Sequence, residues 1–278
     1  MNIRNLRAEG RKRLKEAGID SHAIDADVLL MHLLGIDKNT LLTEPDKYVD
    51  KPVAAEFWRL VDRRCDNVPV QYIVGKCEFM SLEFILDENV LIPRPDTEIL
   101  VETVLAKEKE TVNGLEIGVG SGCISISLEH YAPNITMLGV DISAAAVEIA
   151  GKNSQRLSKG KFIVSDMFDN VPRGTIFDFL VSNPPYIPSD VILKLEENVR
   201  EYEPKLALDG GPDGLMFYRD ICEKAKEYLA DGGRIYFEIG HDQGNSVKHI
   251  LCKAGFFGIN IVKDLAGKDR VVYGHLPG

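Results

Sequence analysis

The chain has 278 residues, 45% of them hydrophobic, and a formal net charge of −10 at pH 7. That length suffices for one large domain and a small one, and since no uninterrupted apolar run approaches a membrane span, we expect no membrane partner. Residues 1–80 hold 13 basic and 13 acidic side chains, while residues 81–278 hold the other 20 and 30. Proteins bind nucleic acid mainly through basic patches, so this acidic balance disfavours DNA or RNA as a direct partner.

The cysteines and histidines provide no pattern for a metal site. The five cysteines lie at least 12 residues apart, and the six histidines are equally scattered. They form neither zinc-ligand spacing nor a disulfide framework, so we expect reduced thiols and a cytoplasmic protein without a bound metal. The first 15 residues contain six basic side chains but lack the apolar core of a signal peptide. This stretch is typical of a solvated helix face, and a contact with a partner stays open.

Residues 1–75 predict an all-helical domain. The first helix covers about residues 3–17, and the second begins after Ser21 as its N-cap and ends at Gly35. We expect the second helix to bury one apolar stripe, which consists of Ile24, Val28 and Met31.

Two more helices and a hairpin follow. A short helix lies near residues 39–42, and a longer one carries Pro52 in its first turn. The longer helix is expected to bury a stripe of Phe57, Leu60, Val61 and Arg64. Apolar and polar residues alternate within 77–80 and 82–86, with a small turn between the two runs. This pattern predicts a β-hairpin. We therefore interpret residues 76–95 as a connector between two domains.

From Val112 onward, strand and helix patterns alternate to the end of the chain. Short apolar runs typical of buried strands occur near residues 112–117, 135–140, 161–165, 176–182, 234–239, 257–263 and 270–274. The alternation predicts an α/β domain over residues 96–278, built on a mostly parallel sheet of these seven strands with helices on both faces. Ligands of such sheets bind at the carboxyl ends of the strands, where the polar motifs of this chain lie.

A glycine-rich segment follows the first of these strands. Gly118, Gly120 and Gly122 stand at every second position, and the next strand ends at Asp141, 19 residues beyond the last glycine. Glycines at such a turn let a ligand lie against the main chain, and a carboxylate at the neighbouring strand end can accept both ribose hydroxyls of an adenosine. The spacing differs from the G-x-G-x-x-G of dinucleotide loops, which favours an amino-acid nucleoside over a pyrophosphate. Asp141 could alternatively cap the helix that begins near residue 143.

The segment Asn183-Pro184-Pro185-Tyr186 ends a later strand. Its prolines stop the strand and fix the backbone, so the carbonyl groups around them are rigid and unpaired. The Asn183 side chain adds an acceptor, and Tyr186 provides a flat aromatic face. Two fixed acceptors can hold both N–H bonds of an NH2 group against that ring, which suits an amide or an aromatic amine that is to be alkylated. A tight turn after a buried strand is the alternative.

The glycine loop, the acidic strand end and Asn-Pro-Pro-Tyr, in this order, resemble the class I S-adenosylmethionine-dependent methyltransferases that methylate amines. Three further motifs narrow the resemblance from this superfamily to one family. They are residues 92–98 (IPRPDTE), 183–187 (NPPYI) and 203–219 (EPKLALDGGPDGLMFYR). With residues 69–75 (PVQYIVG) in the helical part, they are similar to the release factor glutamine N5-methyltransferases, also called PrmC or HemK. The similarity covers the whole chain, and the motif at 203–219 is the most specific.

The resemblance implies a Rossmann-like methyltransferase domain and a helical domain that recognises the substrate. Members of this family use S-adenosylmethionine to methylate the side-chain amide of the Gln in the Gly-Gly-Gln loop of class I peptide-chain release factors, which modulates translation termination. The resemblance assigns cofactor binding to Gly118, Val119, Gly120, Ser121, Gly122, Asp141, Phe168 and Asn183. It assigns substrate binding to Asn183, Pro184, Pro185 and Tyr186, of which Asn183, Pro184 and Tyr186 are expected to carry the catalysis. The expected partner is a release factor, and we expect a monomer.

Several other residues have two interpretations. Asp166, at a strand end, either orients the adenine amine or caps a turn, and Phe168 either lies beside the adenine or belongs to the core. Arg94 and Glu98 form either a surface ion pair or part of an active-site wall or lid. Glu116 replaces the Asp of the commoner family pattern and keeps a carboxylate, at a longer reach, for the cofactor amino group.

Two other functional classes remain compatible with these residues. A nucleic-acid methyltransferase acting on adenine N6 or guanine N2 would use the same clamp, with Tyr186 stacked on a flipped base, but the acidic charge argues against it. A nucleotide-dependent oxidoreductase could use the glycine loop, yet it leaves Asn-Pro-Pro-Tyr unexplained. Activity on a release factor, rather than on DNA or ribosomal RNA, separates these alternatives.

Overall fold

The computed structural model describes residues 1–278. The chain divides into two compact units. A helical unit consists of Met1–Lys76 with Glu196–Tyr202, and a sheet unit consists of Cys77–Leu195 with Glu203–Gly278. None of the helices combines the length and the apolar character that crossing a membrane requires.

The helices and strands follow one another closely along the chain. The helices are α1 (Ile3–Glu16), α2 (His22–Leu34), α3 (Lys38–Thr43), α4 (Lys51–Cys65), α5 (Val70–Val74), α6 (Glu98–Lys107), α7 (Cys123–Tyr131), α8 (Ala144–Leu157), α9 (Ser189–Ile192), α10 (Glu197–Tyr202), α11 (Met216–Lys224) and α12 (Gly244–Lys253). The strands are β1 (Lys76–Phe79), β2 (Leu82–Ile85), β3 (Val112–Ile117), β4 (Ile135–Asp141), β5 (Lys161–Val164), β6 (Phe177–Ser182), β7 (Leu229–Glu238), β8 (Phe257–Lys263) and β9 (Asp269–His275). All predicted strands are present, and only β7 begins well before its predicted start.

The helical unit packs around the apolar faces of its helices. On α4 the predicted stripe is buried, with Phe57 and Val61 fully enclosed. On α2 the predicted stripe is wrong, because Ile24 is 68% exposed. The buried apolar face of α2 consists of Ala26, Leu29 and Leu30.

A buried ion pair explains the orientation of α2. Asp25 accepts hydrogen bonds from Arg64 Nε at 2.7 Å and from Ser21 Oγ at 2.6 Å. The pair turns Asp25 toward α4 and leaves its neighbour Ile24 in solvent. Because apolar residues occur on most sides of α2, its periodicity alone did not define the buried face.

The helical unit also contains a segment from much later in the chain. The Tyr202 hydroxyl donates to the carbonyl of Asp66 at 2.7 Å, and Asn67 Nδ2 donates to Glu197 at 2.8 Å. Therefore α10 contacts the residues that follow α4 and belongs to the helical unit, although the residues on either side of Glu196–Tyr202 belong to the sheet unit. No sequence pattern indicated this association.

The sheet unit contains a seven-stranded sheet in the order β5-β4-β3-β6-β7-β9-β8. The first five strands in this order run parallel, and β9 is antiparallel to both of its neighbours. The predicted fold class, an α/β domain with a mostly parallel seven-stranded sheet, is confirmed. The hairpin of β1 and β2 forms a separate small sheet, and its Phe79 and Phe84 are buried in the core of this unit.

The two faces of the sheet have separate apolar cores. Successive residues of a strand point to opposite faces, so Leu180 on β6 packs in a core that includes Tyr218 of α11 and Val247 of α12. Its neighbour Val181 packs in the other core, which includes Leu100 of α6 and other residues of α6 and α7. Helices therefore cover both faces, and β6 is buried from both sides.

The strand order reverses beside β3, since β4 lies on one side of it and β6 on the other. Ile117 of β3 pairs with Val140 of β4 on one side and with Ser182 of β6 on the other. Ser182 of β6 in turn pairs with Phe237 of β7. Open α/β sheets bind ligands at such a reversal, beyond the carboxyl ends of the strands. The residues at these ends are Gly118, Asp141, Asn183 and Glu238.

Candidate active site

The glycine loop turns from β3 into α7 through left-handed backbone conformations. Gly118, Gly120 and Gly122 have φ angles of 78°, 52° and 83°, a region that other residues rarely adopt. A Cβ on Gly118 or Gly120 would meet no atom within 4 Å, whereas one on Gly122 would lie 2.7 Å from Ile126 Cδ1. The first two glycines thus border open space beside the main chain. The third glycine permits close packing of the loop against the Ile126 side chain.

Asp141, at the end of β4, holds this loop. Its carboxylate accepts from the backbone N–H groups of Gly120 and Ser143, each at 2.9 Å. Burial raises the pKa of Asp141, and these two hydrogen bonds oppose that shift. Carboxylate oxygens have further lone pairs, so the group can still accept ribose hydroxyls. Ser143 Oγ, rather than Asp141, caps α8 by accepting from the Ala146 N–H at 3.2 Å.

Glu116, two residues before the loop, is completely buried. Its Oε2 accepts from the Ser125 N–H at 3.0 Å and from the Ser125 hydroxyl, whereas its Oε1 has no hydrogen-bond partner. Burial raises the pKa of Glu116 to about 8, although the Ser125 bonds oppose the shift. A buried carboxyl oxygen without a partner is costly, so a hydrogen-bond donor of a ligand could bind at this position, and a cationic donor would favour the ionised form.

Val119 and Ser121, which alternate with the glycines, are both buried. The N–H groups of Gly118 and Val119 donate to the Val140 carbonyl at 2.9 and 3.0 Å, and the Ser121 carbonyl accepts from Asn153 Nδ2 at 3.0 Å. These bonds fix the path of the loop. The two residues thus shape the site through their main chain, and their contact with a cofactor stays a prediction.

The segment after β5 contains Asp166 and Phe168. The Phe168 ring is 2% exposed and stacks on Tyr228 with a centroid distance of 4.8 Å. The ring therefore belongs to the core, and its contact with an adenine stays a prediction. Asp166 is exposed, and the turn here is closed by the Asp169 N–H, which donates to the Asp166 carbonyl at 3.0 Å. The carboxylate of Asp166 is accessible to a ligand.

Asn183 follows β6 directly, beside the strand that leads into the glycine loop. Its Nδ2 lies 3.4 Å from Thr97 Oγ1, to which it donates. The carbonyl of Tyr186 accepts from Gln243 Nε2 at 3.0 Å and is therefore already engaged. The acceptors left for a substrate amide include Asn183 Oδ1 and the carbonyl of the buried Pro184.

The glycine-rich part of the 203–219 motif packs on the backbone of Asn-Pro-Pro-Tyr. The Ile187 N–H donates to the Leu208 carbonyl at 3.1 Å, and the Gly210 N–H donates to the Ile187 carbonyl at 2.8 Å. A Cβ on Gly210 would lie 2.7 Å from the Pro185 oxygen and 2.8 Å from Tyr186 Cα. A side chain has no room at this position, which explains the glycine.

Arg94 and Glu98 do not pair with each other, so the ion-pair interpretation is wrong. Arg94 donates to Glu203 at 2.5 Å, and Glu98 accepts from the Met80 N–H at 2.6 Å. Glu203 is buried whereas Arg94 is partly exposed. The pair therefore joins two of the motifs on which the family resemblance rests.

Three residues that we did not predict from the sequence also belong to this region, namely Thr97, Glu238 and Arg270. Glu238, at the end of β7, is 1% exposed; burial raises the pKa of its carboxyl while the Thr97 side chain lowers it, and its Oε2 has no hydrogen-bond partner. Arg270 pairs with Asp96 at 2.8 Å, and its charge acts on Glu238. A carboxylate that ends an apolar strand was the available signal for Glu238. No local signal indicated the roles of Thr97 and Arg270.

The site therefore combines a glycine loop, a strand-end carboxylate and the proline-fixed Asn-Pro-Pro-Tyr segment at one edge of the sheet. Nowhere do three or more His, Cys, Asp or Glu side chains cluster as a metal ion would require. The arrangement can bind an amino-acid nucleoside next to a planar NH2 group. Together with the sheet order, it defines the chain as a class I methyltransferase.

Solved structures share this fold. A methyltransferase from Pyrococcus furiosus superimposes with a TM-score of 0.55 at 18% identity, covering 72% of this chain and 91% of that chain. A 16S rRNA methyltransferase from Thermus thermophilus, in complex with AdoMet and guanosine, gives a TM-score of 0.52 at 16% identity and covers 72% of this chain and 49% of that chain. At these identities the likeness concerns the fold alone.

Sequence relatives define the family more narrowly. Residues 5–75 match the family described as PrmC N-terminal domain, and residues 94–197 match the methyltransferase small domain. A release factor glutamine methyltransferase from Clostridium botulinum is 42% identical over 98% of both chains. Another, from Thermodesulfovibrio yellowstonii, is 41% identical over 89% of this chain and 90% of that protein. The chain belongs to the release factor glutamine methyltransferase family.

Proposed function

We propose that this enzyme transfers a methyl group from S-adenosylmethionine to the side-chain nitrogen N5 of the Gln in the Gly-Gly-Gln loop of class I peptide-chain release factors. The observation that carries the proposal is the position of Gly118 and Asn183 at the ends of the paired strands β3 and β6. Because the strands pair, the segment to which we assign cofactor binding and the segment to which we assign amide binding lie side by side at one sheet edge. Membership of the family supports the same acceptor.

The residues present fit S-adenosylmethionine in three respects. The unpartnered Oε1 of Glu116 would accept from its ammonium group. The open main chain at Gly118 and Gly120 would hold its methionine part, and Asp141 would accept hydrogen bonds from the ribose. When bound, the cofactor supplies an electrophilic methyl group on a sulfonium centre.

The amide of the acceptor Gln needs activation. Its nitrogen is a poor nucleophile, because the lone pair is delocalised into the carbonyl, as in a peptide bond. Acceptors on both N–H bonds raise the electron density on nitrogen and stabilise the positive charge that develops there. We assign these acceptors to Asn183 Oδ1 and the Pro184 carbonyl. Tyr186 contributes its ring, since burial raises the pKa of its hydroxyl to about 12 and keeps it neutral.

Orientation is the second contribution of these residues. Holding two reactants in line can lower a barrier by roughly 7–11 kcal/mol in well-aligned cases. The rigid prolines and the packing of Gly210 against Pro185 keep the acceptors in place. After the transfer, the N-protonated amide is a strong acid and releases its proton to water. The chain therefore needs neither a general base nor a covalent intermediate.

We assign recognition of the body of the release factor to the helical unit. A single Gln side chain in a pocket offers little contact area, whereas specific protein complexes usually bury about 1,200–2,000 Å² in total. The family match at residues 5–75 supports a dedicated role for this unit. Segment Glu196–Tyr202 belongs to it and continues directly into the 203–219 motif, so the chain links recognition and catalysis.

The proposal is tested with methyl-labelled S-adenosylmethionine and three separate acceptors, namely release factor, DNA and ribosomal RNA. Label should pass only to the release factor, because residues 81–278 carry 30 acidic against 20 basic side chains. A release factor whose Gly-Gly-Gln glutamine is replaced by Ala is the matched control and should remain unlabelled. Label on DNA or RNA, with none on the release factor, would overturn the proposal.

A further inference from the structure

The side chain of Asn183 has two possible orientations, and only one of them serves the proposed clamp. An amide has a carbonyl oxygen on one side and an NH2 group on the other. The oxygen must face the N–H bonds of the substrate, because an NH2 group there would place donor against donor. A neighbour of Asn183 must therefore select the orientation.

The hydroxyl of Thr97 is such a neighbour, at 3.4 Å from Asn183 Nδ2. Thr97 occupies the N-cap position of α6, where a Thr hydroxyl commonly accepts from the first turn of the helix. Here the side chain makes no capping hydrogen bond. The hydroxyl therefore has no capping role and is free to interact with the Asn183 side chain.

A hydroxyl alone cannot orient an amide, since it can both donate and accept. Glu238 removes this freedom. An ionised carboxylate can only accept, so we assign the single hydrogen of the Thr97 hydroxyl to Glu238, a carboxyl whose pKa burial raises and the Thr97 side chain lowers. The Thr97 oxygen is then left to accept from Asn183. The register supports this arrangement, because Glu238 and Asn183 directly follow the paired residues of β7 and β6.

We propose that Glu238 and Thr97 are positioning residues that set the orientation of the Asn183 amide. The carboxylate accepts the Thr97 hydrogen, Thr97 Oγ1 accepts an N–H of Asn183, and Asn183 Oδ1 is left to accept from the substrate. Neither positioning residue touches the substrate. The inference rests on the proposed function, because it assigns Asn183 Oδ1 to the amide of the acceptor Gln.

The burial of Glu238 agrees with such a role. The residue is 1% exposed and its Oε2 has no hydrogen-bond partner, so the carboxylate is desolvated without full compensation. An apolar residue at the end of β7 would avoid this cost. An acceptor for the Thr97 hydroxyl is what an apolar residue could not supply.

Several charges act on Glu238. The pKa of Glu238 is raised to about 7, mainly by burial. The charge of Asp96 also raises this pKa, whereas the Thr97 side chain and the charges of Arg270 and Arg94 lower it. The other titratable groups within reach of its charge are Tyr186, Tyr218 and Cys123. A protonated carboxyl could donate to Thr97, which could then donate to Asn183 Oδ1 and reverse the amide. Turnover should therefore rise as pH increases through about 7.

The first test replaces Thr97 in the full-length enzyme. Thr97→Val should lower kcat on the release factor about 10–100-fold, by analogy with the loss of a hydrogen-bond partner that orients a metal-ligating side chain. The KM and the Kd for S-adenosylmethionine should change little. Thr97→Ser keeps the hydroxyl and should recover most of the turnover. The matched control is Thr103→Val, which removes a buried hydroxyl bonded to the Ile99 carbonyl at 2.7 Å and should turn over like the wild type.

The second test uses Glu238→Gln, which replaces a pure acceptor with a group that can also donate. It should lower kcat and abolish the rise in turnover near pH 7. If Thr97→Val does not fold, the comparison of Thr97→Ser with Glu238→Gln decides. Wild-type kcat in Thr97→Val, or an unchanged pH profile in Glu238→Gln, would overturn the inference and leave the proposed function standing. A wild-type enzyme inactive on the release factor would overturn the proposed function itself.

Discussion

The carboxylate of Asp141 accepts a hydrogen bond from the backbone N–H of Gly120 at 2.9 Å. This bond joins the end of β4 to the glycine loop after β3. The group assigned to the ribose and the main chain assigned to the methionine part thus form one hydrogen-bonded structure. A change at Asp141 should therefore affect both portions of the cofactor site.

Asp141→Ala should weaken the binding of S-adenosylmethionine by about 1–3 kcal/mol, the range for losing hydrogen bonds to a charged group. Titration calorimetry measures this change directly. Asp231→Ala, at an exposed position of β7, is the matched control and should bind like the wild type. Undiminished binding by Asp141→Ala would remove this carboxylate from the site.

Glu116→Gln should have opposite effects on stability and on cofactor binding. Burial raises the pKa of Glu116 from 4.5 to about 8, so the folded state favours the protonated form. The stability contributed by this group is fully present below the unfolded pKa and is lost as pH rises through about 8. Denaturant unfolding without cofactor should show that loss in the wild type and much less of it in the variant.

The same variant should bind S-adenosylmethionine more weakly, because a neutral amide is a poorer acceptor for an ammonium group. Calorimetry on both proteins measures the difference. Equal pH dependence of unfolding in the two proteins would show that the Glu116 carboxyl does not titrate as its burial requires. Equal cofactor affinity would place the ammonium group elsewhere.

Asn183→Ala should depress turnover far more than cofactor affinity, because the clamp acts on the nucleophile. Removing one preorganised electrostatic partner typically costs on the order of 10²–10³ in rate. Steady-state kinetics on the release factor, with calorimetry for the cofactor, separates the two effects. Asn260→Ala, on an exposed position of β8, serves as control. Near-normal turnover of Asn183→Ala would exclude the clamp mechanism.

Gly210→Ala should displace the Asn-Pro-Pro-Tyr backbone, since the new Cβ would lie 2.7 Å from the Pro185 oxygen. We expect a clear loss of kcat with little change in cofactor affinity. The matched control is Gly151→Ala on α8, where a Cβ meets no atom within 4 Å. That change should preserve activity and stabilise the helix by up to about 1 kcal/mol. Wild-type turnover by Gly210→Ala would show that the motif does not depend on this contact.

The intact release factor should be a far better substrate than a peptide that contains only the Gly-Gly-Gln loop. The peptide occupies the amide site but offers nothing to the helical unit, whereas a full interface adds most of the buried area. The expected difference is in kcat/KM, and it is measured with both acceptors under the same conditions. Comparable kcat/KM values for the peptide and the intact release factor would show that the helical unit has no role in recognition.

The strands and the glycine loop could be predicted because their signals are local. Apolar runs bounded by turn residues define β3 to β6, and the spacing of Gly118, Gly120 and Gly122 is visible in the sequence itself. The end of β6 before Asn183 could be predicted for the same reason, since the prolines that follow restrict their own backbone.

The remaining features depend on residues far apart in the chain. The buried face of α2 is set by Arg64, which lies 39 residues beyond Asp25. The neighbourhood of Thr97, Asn183 and Glu238 depends on the register of β6 with β7, which no local pattern specifies. The placement of Glu196–Tyr202 in the helical unit likewise results from contacts with residues near the end of α4.

Tandem mass spectrometry of release-factor peptides tests the central claim most directly. After incubation with the enzyme and S-adenosylmethionine, the peptide that contains Gly-Gly-Gln should carry one added methyl group on the Gln side chain. Reactions without cofactor, or with Asn183→Ala in place of the wild type, should leave that peptide almost unmodified. An unmodified peptide after incubation with the wild-type enzyme, or a methyl group on any other residue, would contradict the account.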